Sequence, residues 1–515
     1  MNNQSNDVIV VGAGPAGLCT AIALARHGLE VLVVERHYGT SPFPKATGIS
    51  TRSMEIFRSW GIEQQVRAGA MTVKPVMTVS DTLIGGPKFT VPFGYPTDEA
   101  ALSVSPCKPC CCAQDHLEPV LLDHLLERGG RVRFGVEMTA LHSGPAGVAI
   151  VVRDRTTGRT ERLHARFVVG ADGPRSAVRD AVGIGIHDMG SIGDYLAVTF
   201  RADLTHRLPA PPGALNLVET AGASGLFVPT SADDRWIFAM QWHPDQGDSM
   251  DEWTDQHCLE VIRAGTGIAG LRPEILSVMP FVMAGHVADT FAAGRVFLVG
   301  DAAHRTTPVG GTGMNTAIHA AHNLGWKLAW VVRGWADEAL LGSYEQDRRP
   351  IGTQNVLNSL RRGPGPVGDG LSGDIGVRYV TDVLGSDDDA IGATVGARAP
   401  HAWVRRGGER ISLLDLFDGR LTLLTGEPDS AFRAATMELA DEGLPITVVS
   451  IGGELLDPDG AFELGYGLAA GEAVLVRPDG YVAWRGSAGP PSYPIPCGRR
   501  SDGPWAGTPR RSPTC

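Results

Sequence analysis

The first residues with a recognisable chemistry are the glycines of Gly12-Ala13-Gly14-Pro15-Ala16-Gly17, between an apolar strand and an apolar helix. The first glycine permits a tight turn, the second lets a pyrophosphate approach the backbone, and the third lets the helix pack on the strand. The next strand ends at Glu35, 18 residues after Gly17, where a carboxylate can accept a hydrogen bond from a ribose hydroxyl. The segment predicts a dinucleotide site and leaves NAD and FAD as equal alternatives.

Two later segments add groups that suit an extended nucleotide. One is Gly170-Ala171-Asp172-Gly173, and the other runs over 295–315 and contains Gly300-Asp301 followed by a glycine-rich turn. Asp301 stands at the end of a buried strand, where its carboxylate can accept hydrogen bonds from sugar hydroxyls. The glycines at 310, 311 and 313 free the backbone to lie against a flat ring. A helix begins near Met314, and the partial positive charge at its N-terminus favours an anionic ring.

In this order, the three segments strongly resemble the signatures of the FAD-dependent aromatic hydroxylases, the group A flavoprotein monooxygenases typified by p-hydroxybenzoate hydroxylase. The resemblance spans about residues 5–360 and includes Lys45-Ala46, Gln114 and the segment from Tyr344 to Pro350. It implies that the segment around Asp172 contacts both FAD and NADPH, and that Asp301 binds ribityl or ribose hydroxyls of FAD. The predicted FAD-binding residues are Gly12, Ala13, Gly14, Pro15, Ala16, Gly17, Glu35, Arg36, Lys45, Ala46, Gln114, Asp172, Asp301, Pro308, Gly311, Thr312, Gly313, Met314 and Asn315.

The resemblance implies a monooxygenase that uses FAD, O₂ and NADPH or NADH to hydroxylate an aromatic ring through a flavin C4a-hydroperoxide. Residues 315–327 resemble most the branch of phenol hydroxylases and antibiotic-tailoring hydroxylases, which favours a polycyclic, polyketide-like substrate over a simple phenol. Lys45, Thr312 and Ala320 depart from the common family residues, so substrate contacts and ring mobility do not follow from the resemblance. Baeyer–Villiger, epoxidation or oxidative-decarboxylation chemistry on the same fold, and a non-catalytic flavin- or intermediate-binding protein, remain alternatives.

The flavin supplies the difficult chemistry, and the sequence does not identify a base that would deprotonate a phenol; His243 and Arg235 are the only candidates for a catalytic side chain. Alternation along the strand from Trp236 to His243 separates two faces, and the aromatic face either lines the substrate pocket or belongs to the core. His243 and Arg235 are the candidate substrate contacts. Only one GxGxxG motif of the chain, Gly12 to Gly17, lies between a predicted strand and a predicted helix, so the resemblance implies an NADPH groove that includes the Asp172 segment. Arg175 and Arg179 are its candidate phosphate partners, with surface ion pairs as the alternative.

The pattern of elements predicts an α/β protein with a Rossmann-like βαβ FAD-binding domain, an inserted antiparallel-sheet substrate domain and a C-terminal thioredoxin-like domain. The last of these resembles the C-terminal domain of the larger family members, and it lacks Cys, which excludes dithiol exchange. The predicted limits are 1–182 for the FAD-binding domain with substrate-facing strands at 75–112, 183–288 for the substrate domain, 289–365 for the returning FAD-binding segment, 366–398 for a linker, 399–486 for the thioredoxin-like domain and 487–515 for a loose tail.

Composition excludes several other functions. The chain has 515 residues, 43% hydrophobic residues and a formal net charge of −12, which fits a globular protein and disfavours nucleic acid or anionic membranes as partners. The sequence shows no membrane-length apolar run and no signal-peptide pattern, so we expect a cytoplasmic protein. The oligomeric state is open, with a homodimer among the options.

A cysteine cluster, Cys107-x-x-Cys110-Cys111-Cys112, has a spacing that invites a metal or redox interpretation. A structural zinc site commonly needs a second ligand pair, and the sequence contains no other CxxC. We therefore expect no metal, and we expect these thiols to pack in a strand of the substrate-facing sheet.

Overall fold

The computed structural model describes residues 6–94, 96–232, 234–361, 370–379, 393–426 and 431–487. Most of the predicted linker and tail lie outside the described residues. The chain divides into two compact units, one formed by Met1–Trp326 with Tyr344–Val380 and the other by Lys327–Ser343 with Thr381–Cys515. Within the described ranges, no helix is long and apolar enough to cross a membrane.

The first unit contains most of the secondary structure. Its strands are β1 Asn6–Val11, β2 Val31–Glu35, β3 Gly48–Ile49, β4 Lys74–Ser80, β5 Phe89–Pro92, β6 Cys110–Cys111, β7 Arg131–Phe134, β8 Val136–Gly144, β9 Gly147–Asp154, β10 Thr160–Gly170, β11 Ile186–Arg201, β12 Gly213–Val218, β13 Gly225–Pro229, β14 Arg235–Gln241, β15 Glu274–Ala288, β16 Ala292–Ala293, β17 Val296–Leu298 and β18 His304–Arg305. Its helices are α1 Pro15–Arg26, α2 Thr51–Trp60, α3 Glu63–Arg67, α4 Asp98–Val104, α5 Gln114–Glu127, α6 Ala177–Ala181, α7 Asp255–Thr266, α8 Gly313–Val332, whose last six residues belong to the second unit, and α9 Gly342–Ser359.

The first sheet has the strand order β16-β17-β10-β1-β2-β7, and β17, β10, β1, β2 and β7 pair in parallel. Its central strands are runs of Val, Ile and Leu with almost no exposed surface, as expected for a sheet covered on both faces. Parallel strands bring their carboxyl ends to one edge. The three glycine-rich segments follow β1, β10 and β17 directly, so this topology brings them together at that edge.

The second sheet has the order β18-β15-β11-β14-β13-β12-β4-β5 and is antiparallel except between β12 and β4. One face is a packed core: Trp236 and Phe238 of β14 lie with Phe227 and with Ile262 of α7, all 1% exposed or less. The aromatic face of β14 is therefore core, which decides between the two interpretations of its alternation. The opposite face, which carries Ile237, is only half-buried.

Truncation of an aromatic side chain in this core should lower the stability of the protein strongly. We expect Phe238→Ala to lower the free energy of unfolding by about 3–5 kcal/mol, because a fully buried ring leaves a cavity. Ile237→Ala, one residue away on the half-buried face, should cost less than half as much. Urea unfolding of both variants measures the difference, and equal losses would contradict the assignment of the two faces.

The second unit contains a four-stranded sheet and two helices. Its elements are β19 Trp403–Arg406, β20 Glu409–Ser412, β21 Leu421–Thr425, α10 Ala431–Asp441, β22 Ile446–Ser450, α11 Ala461–Tyr466, β23 Glu472–Val476 and β24 Val482–Ser487. In the order β22-β21-β23-β24, β21 and β22 are parallel and the other pairs are antiparallel. This is a thioredoxin-like arrangement, so the predicted fold class is confirmed. The predicted domain limits stay predictions.

Candidate cofactor site

The glycine turn after β1 is shaped to admit a phosphate. Helix α1 begins at Pro15, and its N-cap residue is Gly14, which has no side chain that could cap the helix. A Cβ built on Gly14 would meet no described atom within 4 Å. Backbone N–H groups at the start of a helix favour anions, so an open and uncapped N-terminus fits a pyrophosphate.

Close backbone contacts join the three glycine-rich segments. Gly12 has φ +106°, and a Cβ on it would lie 2.4 Å from the carbonyl oxygen of Ala171. A Cβ on Gly300 would lie 2.7 Å from the Cβ of Ala16. The Val299 N–H donates to Gly170 at 2.9 Å. The turn after β1, the Asp172 segment and the Asp301 segment are therefore in mutual contact, and Asp301 lies beside the start of α1.

Glu35 holds the first glycine turn. One carboxylate oxygen accepts the backbone N–H of Ala13 at 2.8 Å, and the other accepts the backbone N–H of His37 at 2.8 Å. A carboxylate has about four acceptor positions, so a ribose hydroxyl can still donate to it. The next residue, Arg36, is exposed.

Lys45, Ala46 and Gln114 lie in one hydrogen-bonded corner. The Gln114 N–H donates to the Ala46 carbonyl at 2.7 Å, and its side-chain amide donates to Glu118 at 2.7 Å. Glu118 also accepts the Ser41 N–H at 2.6 Å, so it ties the 41–46 loop to α5. Burial raises the pKa of Glu118, and the nearby positive charge of Lys45 opposes this rise. Sequence reasoning assigned no role to Glu118, although its spacing of four from Gln114 on one helix could have indicated the contact.

The carboxylate of Asp301 has a strongly perturbed pKa. Desolvation by the surrounding protein raises its pKa to about 6, while the charges of Arg305 and Lys45 act in the opposite direction. The residue nevertheless keeps exposed surface, so a ligand can reach it. A desolvated but reachable acceptor at the carboxyl end of a parallel strand fits the hydroxyl groups of a nucleotide.

The turn before α8 is fixed at both ends. Thr307 bonds to Ser359 through its N–H at 3.0 Å and through its hydroxyl at 2.6 Å. Asn315 donates its side-chain amide to the carbonyls of Gly311 and Gly48, at 3.1 and 2.9 Å. Gly310 and Gly311 take φ values of +84° and +63°, which other residues rarely adopt. The side chain of Asn315 thus shapes the turn from inside.

Thr312 supplies an unmatched polar atom in this turn. Its hydroxyl oxygen is buried and makes no hydrogen bond to any described residue. An orphaned hydroxyl of this kind is costly unless a further group bonds to it. Together with Gly313 and Met314 at the start of α8, it marks a wall suited to a polar planar ring.

The candidate substrate contacts lie in different settings. Arg235 makes a two-point ion pair with Asp115, at 2.6 and 3.0 Å, and so connects β14 to the start of α5. His243 follows β14 on an exposed loop, where its N–H donates to Asp248 at 2.7 Å. Arg235 is committed to a strong internal pair. A substrate role for either residue stays a prediction.

The Asp172 segment is held internally. Asp172 accepts from the Ser176 hydroxyl and, at 3.0 Å, from the Val178 N–H. Arg179 is 5% exposed and donates to the carbonyls of Ala302 and Pro174, at 3.1 and 3.2 Å. Arg179 thus joins the Asp172 segment to the Asp301 segment and does not lie at the surface. Arg175 is exposed and is the better placed of the two to meet a cosubstrate phosphate.

The cysteine cluster packs beside the glycine loops. Cys107, Cys110 and Cys112 are buried, and desolvation raises the pKa of each thiol. Cys110 and Cys111 form β6, which pairs with β3 and not with the substrate-facing sheet, so that part of the expectation was wrong. The reason is local: Cys112 and Gln114 bond back to the 46–47 loop. No group of metal-ligating side chains was found in the described part of the chain.

Comparisons with known proteins identify the class of site. The family described as "FAD binding domain" matches residues 5–359, and "Aromatic-ring hydroxylase, C-terminal" matches residues 393–496. The chain is 36% identical to aklavinone 12-hydroxylase RdmE of Streptomyces purpurascens, over 94% of this chain and 96% of the relative. It is also 36% identical to the tetracenomycin A2 monooxygenase-dioxygenase of Streptomyces glaucescens, over 94% of each chain.

Solved structures agree with this class. Aklavinone-11 hydroxylase in complex with FAD and aklavinone matches with a TM-score of 0.86 and 34% identity, over 94% of this chain and 96% of that chain. PieE in complex with FAD and substrate matches with a TM-score of 0.86 and 30% identity, over 95% and 97% of the two chains. Both of these solved structures contain FAD. The chain belongs to the FAD-dependent aromatic-ring hydroxylases, which confirms the family, enzyme class and flavin predicted from the sequence.

Proposed function

We propose that this protein uses NAD(P)H and O₂ to hydroxylate a polycyclic aromatic polyketide. The observation that carries the proposal is the half-buried face of the second sheet, which carries many apolar and small side chains and so suits a flat ligand. Its members are Tyr195, Ala197, Leu215, Leu217, Leu226, Val228, Ile237, Ala239 and Phe281. Two hydroxylases of similar sequence and structure carry aklavinone in their names.

The chain's own residues account for binding, and the cofactor supplies the chemistry. We propose that the α1 N-terminus receives the pyrophosphate, Glu35 and Asp301 accept from sugar hydroxyls, and the 308–315 turn lies along the ring. When bound and reduced, FAD activates O₂ for transfer of one oxygen atom. Apolar walls such as Val228 and Ile237 exclude water and orient the substrate. Arg235 holds α5 against the sheet through Asp115 and keeps this wall in place.

A substrate panel tests the proposal. Substrate-stimulated NADPH and NADH oxidation would be followed with simple phenols, naphthoquinones and a tetracyclic anthracyclinone such as aklavinone. We expect the strongest stimulation with the tetracyclic compounds, with ¹⁸O from ¹⁸O₂ in the product. Stimulation by simple phenols alone would contradict the polyketide assignment, and background oxidation throughout would favour a non-catalytic flavin-binding protein.

Small residues on the half-buried face set the space for a wide substrate. Ala239 lies between Ala197 and Leu226 on adjacent strands. We expect Ala239→Phe to raise KM for a tetracyclic substrate about tenfold, which corresponds to about 1.4 kcal/mol, since the added ring occupies the face. The melting temperature should hardly change, because the face is not packed as core. The contradicting result is an unchanged KM in a folded variant.

A second reaction is favoured by the names of two relatives, the tetracenomycin A2 enzyme and the tetracenomycin B2 enzyme of Streptomyces olivaceus. Each of the two is named a monooxygenase-dioxygenase, so insertion of more than one oxygen atom is the runner-up. Mass analysis of product formed under ¹⁸O₂ separates the two reactions. Two labelled oxygens support the runner-up. One labelled oxygen supports hydroxylation where NMR of the product shows it as a ring hydroxyl, and it indicates Baeyer–Villiger chemistry where NMR shows it as an ester oxygen within an expanded ring.

A further inference from the structure

A short segment, residues 370–379, is anchored far from its neighbours in the sequence. It lies between the two family matches, which end at residue 359 and begin again at residue 393. We refer to it as the anchor segment. Its first half forms a turn in which the N–H groups of Asp374, Ile375 and Gly376 donate to the Leu371 carbonyl, at 3.1, 2.7 and 3.1 Å. This turn presents the Asp374 carboxylate to helix α2.

Asp374 closes the N-terminus of α2. One carboxylate oxygen accepts the Ser50 hydroxyl at 2.7 Å, and the other accepts the Arg52 backbone N–H at 2.9 Å. Ser50 is the N-cap of α2, so its hydroxyl both accepts from the Ser53 N–H and donates to Asp374. His319 of α8 lies 3.7 Å from the same carboxylate. The hydrogen bond between Ser50 and Asp374 joins residues 324 positions apart in the sequence.

The hydrogen bonds continue from Asp374 to the turn before α8. The Ser50 N–H and the Ser53 hydroxyl both donate to the Asn315 side-chain oxygen, at 2.9 and 2.8 Å. Asn315 in turn donates to Gly311 at 3.1 Å. The path therefore runs from Asp374 through Ser50 and Asn315 to the backbone of Gly311, and its three side chains are buried or half-buried.

The other end of the anchor segment is connected to α8 through Arg348 of α9. Tyr379 is 5% exposed and accepts from the Arg348 guanidinium at 3.2 Å. Arg348 also donates to the Thr316 carbonyl in the first turn of α8, at 3.4 Å. Both ends of the segment are thus coupled to residues 315–316, at the end of the 308–315 turn proposed to hold the flavin.

We propose that Asp374 is a positioning residue for FAD: through Ser50 and Asn315 it fixes the turn that contacts the flavin ring. This rests on the proposal that the 308–315 turn holds that ring. The carboxylate is not expected to touch FAD. Its removal frees the Ser50 hydroxyl and the α2 N-terminus, so the turn samples more conformations and binding of the ring loses preorganisation.

The test compares two helix-capping aspartates. Asp374→Ala removes the proposed path, whereas Asp457→Ala removes a cap of the same kind from α11, where Asp457 accepts the N–H groups of Ala461 and Phe462 at 2.9 Å each. We expect both variants to lose similar thermal stability. Only Asp374→Ala should weaken FAD binding, by about tenfold in fluorescence titration, and should blur the fine structure of the flavin absorption band at saturating FAD.

Two further variants make the result decisive. Asp374→Asn keeps the volume and one acceptor, so it should give an intermediate FAD dissociation constant, and it replaces Asp374→Ala if that variant does not fold. Asp301→Asn reports on the proposed FAD site itself. If Asp301→Asn weakens FAD binding while the folded Asp374 variants bind with the wild-type constant and spectrum, the positioning role is wrong. If Asp301→Asn also leaves binding unchanged, the proposed site is wrong instead.

Discussion

Gly12→Ala is expected to yield protein with less than about a tenth of the wild-type flavin content and with much reduced stability. The residue has φ +106°, and a Cβ there would lie 2.4 Å from the Ala171 carbonyl, which is backbone and cannot swing away. A strained backbone conformation of this kind costs about 1–3 kcal/mol before the clash is counted. The turn and the Asp172 segment must therefore separate. Flavin absorbance per protein and thermal unfolding measure both effects.

Gly14→Ala is the matched control, because it adds the same methyl group two residues later. A Cβ at Gly14 meets no atom within 4 Å among the described residues, and its φ of −75° suits alanine. We expect wild-type stability for the apoprotein and FAD binding weakened by about tenfold or more, since the methyl group occupies the approach of the pyrophosphate. Equal stability loss in both variants, or full flavin content in Gly12→Ala, would contradict this account of the turn.

Asp301→Asn is expected to weaken FAD binding about tenfold or more while it stabilises the apoprotein above pH 6. The loss of affinity follows because hydrogen bonds to a charged acceptor are worth about 1.5–3 kcal/mol. The gain in stability follows from the pKa of Asp301, which burial raises from its usual 3.8 to about 6. Between these values the folded apoprotein binds more protons than the unfolded chain, so Asp301 lowers stability as the pH rises through that window.

The measurement is the difference in melting temperature between Asp301→Asn and wild type, without FAD, from pH 4.5 to pH 8. We expect this difference to grow as the pH rises toward about 6 and to level off above it. Asp374, whose pKa burial also raises to about 6, is present in both proteins and cancels in the difference. With saturating FAD the order should reverse. A variant that is less stable at every pH, or that binds FAD like wild type, would contradict the role of Asp301.

The convergence of the glycine-rich segments could be predicted from the sequence. Each follows a strand whose last residues are buried, and parallel strands place their carboxyl ends together, so Gly12, Ala171 and Asp301 had to lie near one another once the sheet was parallel. The spacing of residues also predicts where helices begin. The family resemblance predicts the thioredoxin-like C-terminal domain and the flavin. These features depend on short-range patterns.

Other features depend on pairings between distant residues and could not be predicted in that way. Arg235 was a candidate substrate contact, but its partner Asp115 lies 120 residues away. Asn315 was a candidate cofactor contact, but it bonds to Ser50 and Gly48 across 265 and 267 positions. Asp374 lies in a glycine- and aspartate-rich segment whose composition predicts a linker. Only the folded structure shows that Asp374 caps α2.

The arrangement also explains why so few titratable side chains are needed. In the proposed site, Glu35 and Asp301 bind sugar hydroxyls, whereas Arg179, Glu118 and Asn315 hold the loops relative to one another. Most polar groups near the site therefore serve to fix the backbone. This agrees with a cofactor that carries the reaction and a protein that supplies orientation and a dry, apolar wall.

A crystal structure of the protein with FAD is the most direct test of the central claim, which is that the three segments form one flavin site. We predict a single FAD with its pyrophosphate at the α1 N-terminus, its ring along the 308–315 turn, and a hydroxyl within about 3.2 Å of the Asp301 carboxylate. An FAD bound elsewhere, or one that leaves Asp301 and the glycine turn without contact, would contradict it.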